Sequence, residues 1–149
     1  RLKYAYYITC EQVVKDENGE INEVICKYDP NTKGGDSADG RKVKGTIQWV
    51  DAKTAVPTTI RKYDRLFSVP NPEDFSGDGD FINNLNPNSL VTLNSCLTEQ
   101  GTNNLNCAVP FQLERIGYFC KDKDSKEENL ILNQTVALRD SWNKKKKKK

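Results

Sequence analysis

Tyr63-Asp64-Arg65-Leu66-Phe67-Ser68-Val69-Pro70-Asn71-Pro72 is the most informative segment of this chain. Arg61, Tyr63, Arg65 and Phe67 fall on one side of an extended run from Pro57 to Val69, as period-2 strand geometry requires. Downstream, Pro70 to Asn88 is a polar connection rich in Pro, Gly, Asn and Asp, with room for a short helical turn at Phe81 to Leu85. Leu90 to Leu93 reads as a short strand and Thr98 to Asn106 as a surface insertion. Phe111 to Lys121 and Asn129 to Leu138 read as two strands joined by the charged turn Asp122 to Glu128. Upstream, Val43, Ile47 and Trp49 alternate with Lys44, Thr46 and Gln48. Asp29 to Arg41 is a loop carrying Asp29-Pro30-Asn31, Gly34-Gly35 and Asp39-Gly40. Leu2, Tyr4, Tyr6, Ile8 and Cys10 share one face of a first strand. Asn18-Gly19 supplies a hairpin turn, and Ile21 to Tyr28 returns. No helix of convincing length and no internal repeat is evident. Many short strands separated by turns predict an all-β fold of barrel or sandwich type, with sequential hairpins favouring antiparallel pairing.

A chain of 149 residues fits one domain or two small subdomains. It begins at Arg1, inside an alternating apolar run and without Met, so it is read as a fragment. The net charge of +2 conceals an uneven distribution: the run Lys144 to Lys149 holds six of the 23 basic residues. The remaining 17 face 21 acidic residues, so the body carries −4. Such a body is no generic polycation, and any nucleic-acid contact must be a local patch. The Lys run itself is low complexity and expected to be disordered, because like charges repel and nothing there can be buried.

Catalysis finds little support. The chain has no His for general-base work, no G-x-S-x-G elbow and no Walker spacing around Gly34-Gly35 and Gly40. Asp78-Gly79-Asp80 lacks the later Glu of a calcium loop. Five cysteines, Cys10, Cys26, Cys96, Cys107 and Cys120, are widely spaced, with no C-x-x-C pair, and read as buried or half-buried thiols of a reducing compartment. No apolar run is long enough to span a membrane. Asn133-Gln134-Thr135 matches a glycosylation acceptor but reads as three strand residues.

RNA recognition is better served. Single-stranded bases are splayed out, stacked on rings or guanidinium planes and addressed at their edges by polar side chains. A Gln amide is both donor and acceptor and so suits a uracil edge, while Arg offers a planar fork. Gln112 and Arg115 beside Phe111, and Arg1 and Lys3 beside Tyr4, have that chemistry. In a regular strand Gln112 and Arg115 point to opposite faces, so a bulge or a strand edge is needed to present both to one RNA. A protein-interaction barrel that binds no RNA is the alternative the acidic body keeps open.

In this order and spacing, the Tyr63–Pro72 stretch, Phe111-Gln112-Leu113-Glu114-Arg115, Gly117-Tyr118-Phe119-Cys120 and Leu138-Arg139-Asp140-Ser141-Trp142 resemble the anticodon-binding domain of glutaminyl-tRNA synthetase. Arg1-Leu2-Lys3-Tyr4-Ala5-Tyr6 is similar to the family's opening strand of its distal barrel, and Asp39 to Val50 to the return from that barrel. Gln48 stands where the family usually has His. The resemblance implies an all-β fold of two antiparallel β-barrels, related to ribosomal protein L25. It implies an anticodon-binding domain over 1–142, with the distal hairpin and loop in 1–42, return strands in 43–142 and a Lys tail in 143–149. It implies that Arg1, Lys3, Gln112, Arg115 and Ser141 contact the anticodon of glutamine tRNA, with Gln112 reading the central uracil. Lys3 stands at a position that is Arg in the family, which weakens any fork-shaped contact there.

The implied enzyme is an ATP-dependent glutamine–tRNA ligase, cytoplasmic and monomeric. Its ATP and magnesium belong to a catalytic domain upstream, so no catalytic, cofactor or metal site is expected in this piece. The Tyr63–Pro72 strand and loop are the candidate element for signalling anticodon binding to that domain. An L25-like ribosomal RNA-binding module and the related glutamyl-tRNA synthetase domain are the alternatives.

Overall fold

A computed structural model describes residues 1–73, 79–107 and 109–138. The chain divides into two compact units, Arg1–Trp49 and Val50–Lys149. The break falls between Trp49 and Val50.

The first unit is built on a hairpin of β1 (Tyr7–Lys15) and β2 (Ile21–Asp29), paired antiparallel. Its turn is fixed by local chemistry. The Asp16 carboxylate accepts from the amides of Asn18 and Glu20, both at 2.9 Å, and Gly19 takes φ 83, where a Cβ would be strained. Pairing slips at two bulges, one between Cys10 and Gln12 and one beyond Val14. Asp29 then caps a 3-10 turn over Pro30–Thr32, accepting from Asn31 N at 3.0 Å. Thr32 is buried and its hydroxyl accepts from Tyr7 N at 2.9 Å while donating to Asp29 O at 2.7 Å. That hydroxyl ties the loop to the strand start and leaves no orphaned buried donor there.

Two expectations fail in this unit. The first strand begins at Tyr7, not Leu2, because Leu2–Ala5 closes a turn (Ala5 N to Leu2 O, 3.0 Å) and Tyr4 adopts φ 57. The alternating run Val43–Trp49 is no strand: only Ile47 bridges, parallel to Leu2. Side-chain alternation cannot make a strand where no partner satisfies the backbone along its length.

The second unit is a five-stranded sheet in the order β4-β3-β7-β6-β5: β3 (Val56–Tyr63), β4 (Leu90–Thr98), β5 (Phe111–Leu113), β6 (Gly117–Lys121) and β7 (Leu130–Ala137). Pairings are antiparallel except β3 with β7, which run parallel with Thr58 opposite Leu130 and Ile60 opposite Leu132. Val56, Phe119, Leu130 and Leu132 form the buried core, with Ile60, Phe111 and Leu113 packed against it. Burying each of the three largest side chains contributes about 1.5–3 kcal/mol. At one edge the hydroxyls of Thr58, Thr98 and Thr102 form a buried chain with 2.8 Å links, so these polar groups cost little. Thr98–Asn106 is therefore anchored, not a free surface insertion. A 3-10 turn at Phe81–Asn84 stands where the helical turn was expected.

Among the described residues there is no α-helix, and the all-β expectation holds. Among these residues no helix is long and apolar enough to cross a membrane. Three boundaries differ from expectation. β3 stops at Tyr63, β4 runs on to Thr98, and Phe111–Lys121 is a hairpin rather than one strand.

Candidate nucleic-acid interface

The hairpin of β5 and β6 presents two of the expected side chains. Phe111 and Leu113 turn inward to the core, so alternation leaves Gln112 outward and exposed. Gln112 pairs directly with Tyr118, which places amide and ring on the same face. Tyr118 is 42% exposed. The connecting turn closes through Ile116 N to Leu113 O at 2.9 Å, and Arg115 sits in it with φ 63. The opposite-face objection to Gln112 and Arg115 therefore falls away, because Arg115 is not on a strand at all. Left-handed backbone at a non-glycine residue costs about 1–2 kcal/mol, and such strain clusters at functional positions.

Arg115 lines an open cavity of about 830 Å³ together with Lys62, Tyr63, Asn88 and Gln134. Two cations, two amides and a phenol share its lining with the apolar Val91, Ile116, Ala137 and Leu138, and Asp64 is the one acidic liner. Lys62, Asn88 and Gln134 were not singled out from sequence. Gln134 lay hidden in a trio read as ordinary strand, and only β7 pairing with β6 brings it near the Arg115 turn.

The Tyr63–Pro72 segment leaves β3 and runs against residues 80–89. Asp64 N bonds Ser89 O and Ser68 N bonds Asn84 O, both at 2.8 Å, and Phe67 bridges Leu85. Asn86 Nδ2 holds Arg65 O at 2.9 Å, and the Phe67 and Phe81 rings meet edge to face at 6.4 Å. On the outward side of β3, Arg61 Nη1 reaches Asp122 at 3.1 Å, while Asn133 Nδ2 donates to the same Asp122 oxygen at 2.6 Å. Tyr63 donates to Asn133 at 3.0 Å. The Asp122 carboxyl is held below the usual carboxylate range, first by the amide of Asp124, then by Asn133 and by the charge of Arg61.

In the first unit Arg1 is held by its own chain. Its Nη2 donates to Tyr7 Oη at 2.6 Å and to Gly35 O and Asp36 Oδ1, both at 2.7 Å. The guanidinium lies over the Tyr7 ring at 4.7 Å. The hydrogen bond from Arg1, then that from Tyr7, lowers the Asp36 pKa. Arg41 approaches the same ring at 5.9 Å and pairs with Asp29 and Asp39. Lys3 stands over the exposed Tyr4 ring at 5.1 Å, and its carbonyl accepts from Trp49 Nε1 at 2.9 Å. The structure thus brings Arg1 and Lys3 onto aromatic rings in one unit, and Gln112 beside Arg115 in the other. Ser141, the stretch Arg139–Trp142 and the Lys tail lie outside the described residues.

Exposed amide, guanidinium and ring groups thus stand on small β-sheets, and the described residues hold no cluster of metal-ligating side chains. Residues 46–122 match the family described as tRNA synthetases class I (E and Q), anti-codon binding domain, and the chain belongs to that family. The glutamine–tRNA ligase of Proteus mirabilis is 49% identical over 144 residues, covering 97% of this chain and 25% of that protein. The glutamine–tRNA ligase of Rhodopirellula baltica is 46% identical over 144 residues, covering 97% of the chain and 24% of its own length. That of Vibrio parahaemolyticus is 49% identical over 145 residues, with 97% and 25% covered. The chain therefore spans about a quarter of the length of these curated relatives.

Proposed function

We propose that this chain is the anticodon-reading part of a glutamine–tRNA ligase and binds the anticodon loop of glutamine tRNA. The observation that carries it is the placement of Gln112 outward on β5, beside Tyr118 and next to the turn of Arg115. An unstacked base laid against that face meets a ring, an amide that complements a uracil edge and a fixed cation. Arg1, Lys3 and Ser141 contact the other bases or the backbone. The bonds from Arg1 to Asp36 and Gly35 aim its guanidinium and reduce the rotamer freedom lost on binding. Similarity to glutamine–tRNA ligases over 97% of the chain supports the reading.

The remaining three quarters of the enzyme then carry the catalytic domain, with ATP, magnesium, glutamine and the acceptor end of the tRNA. The enzyme works as a monomer in the cytoplasm. The Tyr63–Pro72 segment, pinned along residues 80–89, relays anticodon occupancy toward the catalytic part.

The test is Gln112→Ala in the full-length enzyme. Aminoacylation is compared for glutamine tRNA and for the same tRNA with its central anticodon base replaced. Discrimination falls by about 1–3 kcal/mol, the worth of a good base contact. Equal loss for both tRNAs rejects the role of Gln112, and preferential charging of glutamate tRNA with glutamate moves the protein to the other branch of the family.

A further inference from the structure

Cys10 on β1 and Cys26 on β2 are directly opposed in the hairpin register, and both are exposed free thiols, as is Cys107, where burial or half-burial was expected; only Cys96 and Cys120 are half-buried. Directly opposed residues of an antiparallel pair project to the same face, with Cα atoms about 4.5–5.5 Å apart. That interval lies inside the span of about 4.4–6.8 Å that a disulfide bridges without backbone movement. Each sulfur now rests 3.8 Å from a carbonyl of its own strand, Gln12 O for Cys10 and Val24 O for Cys26. Closure calls for side-chain rotation that turns each sulfur away from its carbonyl and toward the facing strand. Cys96 opposes Thr58, Cys120 opposes Asn133 and Cys107 bridges Lys121, so no other cysteine of the chain faces a second one across a strand pair. The first bulge begins immediately after Cys10, where the pairing is most open to distortion.

We propose that Cys10 and Cys26 are an oxidation site that hydrogen peroxide closes to a reversible disulfide across the β1–β2 hairpin. The sulfur of one cysteine attacks a peroxide oxygen. The S–O bond forms, the O–O bond breaks, and the thiol proton leaves with the departing oxygen as water. The second sulfur attacks the resulting sulfenic acid; the S–S bond forms, the S–O bond breaks, and a second water departs with its proton. Two thiols lose two electrons and one peroxide becomes two waters. Exposure of both thiols gives peroxide, and later a reducing thiol, direct access. Closure ties the strands together three pairs from Tyr7 and Asp29, which frame the Arg1 and Arg41 cluster.

The test is peptide mapping of the full-length protein after graded hydrogen peroxide, with free thiols alkylated before proteolysis. A cross-linked Cys10–Cys26 peptide within one chain is expected, with both thiols lost from the alkylated pool together and restored by dithiothreitol. Serine at Cys96, Cys107 and Cys120 together leaves the cross-link intact. Cys10→Ser abolishes it and leaves Cys26 trapped by dimedone as sulfenic acid; Cys26→Ser does the converse. Full alkylation of Cys10 and Cys26 at peroxide doses that oxidise any other cysteine overturns the proposal, as does a cross-link between chains or to Cys96, Cys107 or Cys120.

Discussion

Replacing Gly117 by alanine places a methyl group in a site with no room for it. Its Cβ would stand 2.7 Å from Gln134 Nε2, 2.9 Å from Val136 O and 3.4 Å from Phe119 Cε2. The Gln134 amide can swing aside, but the Val136 carbonyl belongs to β7, which β6 pairs through Gly117 and Ala137. Relief therefore requires the two strands to part. Overpacking of this kind costs about 1–3 kcal/mol, offset by about 0.4–1 kcal/mol from the stiffer unfolded chain. The midpoints leave a net loss of about 1.3 kcal/mol, between limits of about 0 and 2.6 kcal/mol. Gly101→Ala is the control: nothing lies within 4 Å of its Cβ, so it changes stability by between zero and about 1 kcal/mol in the favourable direction. Amide hydrogen exchange of peptides from β5, β6 and β7, read by mass spectrometry, reports the local opening free energy in both variants. Unchanged or slower exchange in Gly117→Ala would refute the packing argument. Gly117 opposes Leu113, beside Gln112, so on the role proposed for Gln112 the same substitution also weakens discrimination at the anticodon.

Other outcomes follow from the same geometry. Arg115→Gly relieves the φ 63 strain and raises the stability of the second unit by roughly 0.5–1 kcal/mol in urea titration, while tRNA affinity falls. Leu132→Ala, at a site with no solvent exposure, destabilises that unit by about 2–5 kcal/mol by the same measurement. The folded-state pKa of Asp122 lies below its unfolded value, so the unfolded chain binds more protons near pH 4. Its contribution is complete above about pH 4, the usual carboxylate pKa, and is lost as pH falls through the lower folded value. Thermal melts from pH 5 to pH 2 should show this loss, and Asp122→Asn should flatten it.

Legibility of the fold followed the locality of its causes. The Asp16–Gly19 turn was readable because Asn-Gly and an Asx acceptor act within four residues. The β5–β6 turn was not, because Glu114, Arg115 and Ile116 are none of the usual turn formers, and Arg115 is bent by the pairing on either side of it. Leu2–Tyr6 alternates as a strand should, yet its backbone closes on itself and on Ile47. Nothing in the local pattern announced the parallel match of β3 with β7. Of the site, Gln112 and Arg115 were recognisable from residue chemistry and from resemblance. Lys62, Asn88 and Gln134 were not, since only sheet order gathers them around one cavity.

The parallel β3–β7 pair also dictates an order of events during synthesis. Ile60 meets Leu132 across a separation that must close by loop search, and contacts so distant in sequence slow folding. Two of the four core residues, Leu130 and Leu132, lie on β7, the last strand among the described residues. A nascent chain stalled before residue 130 therefore exposes Val56 and Phe119 with nothing to cover them, and β3 offers an open edge to any passing strand. Collapse of this core waits for β7 to emerge from the ribosome.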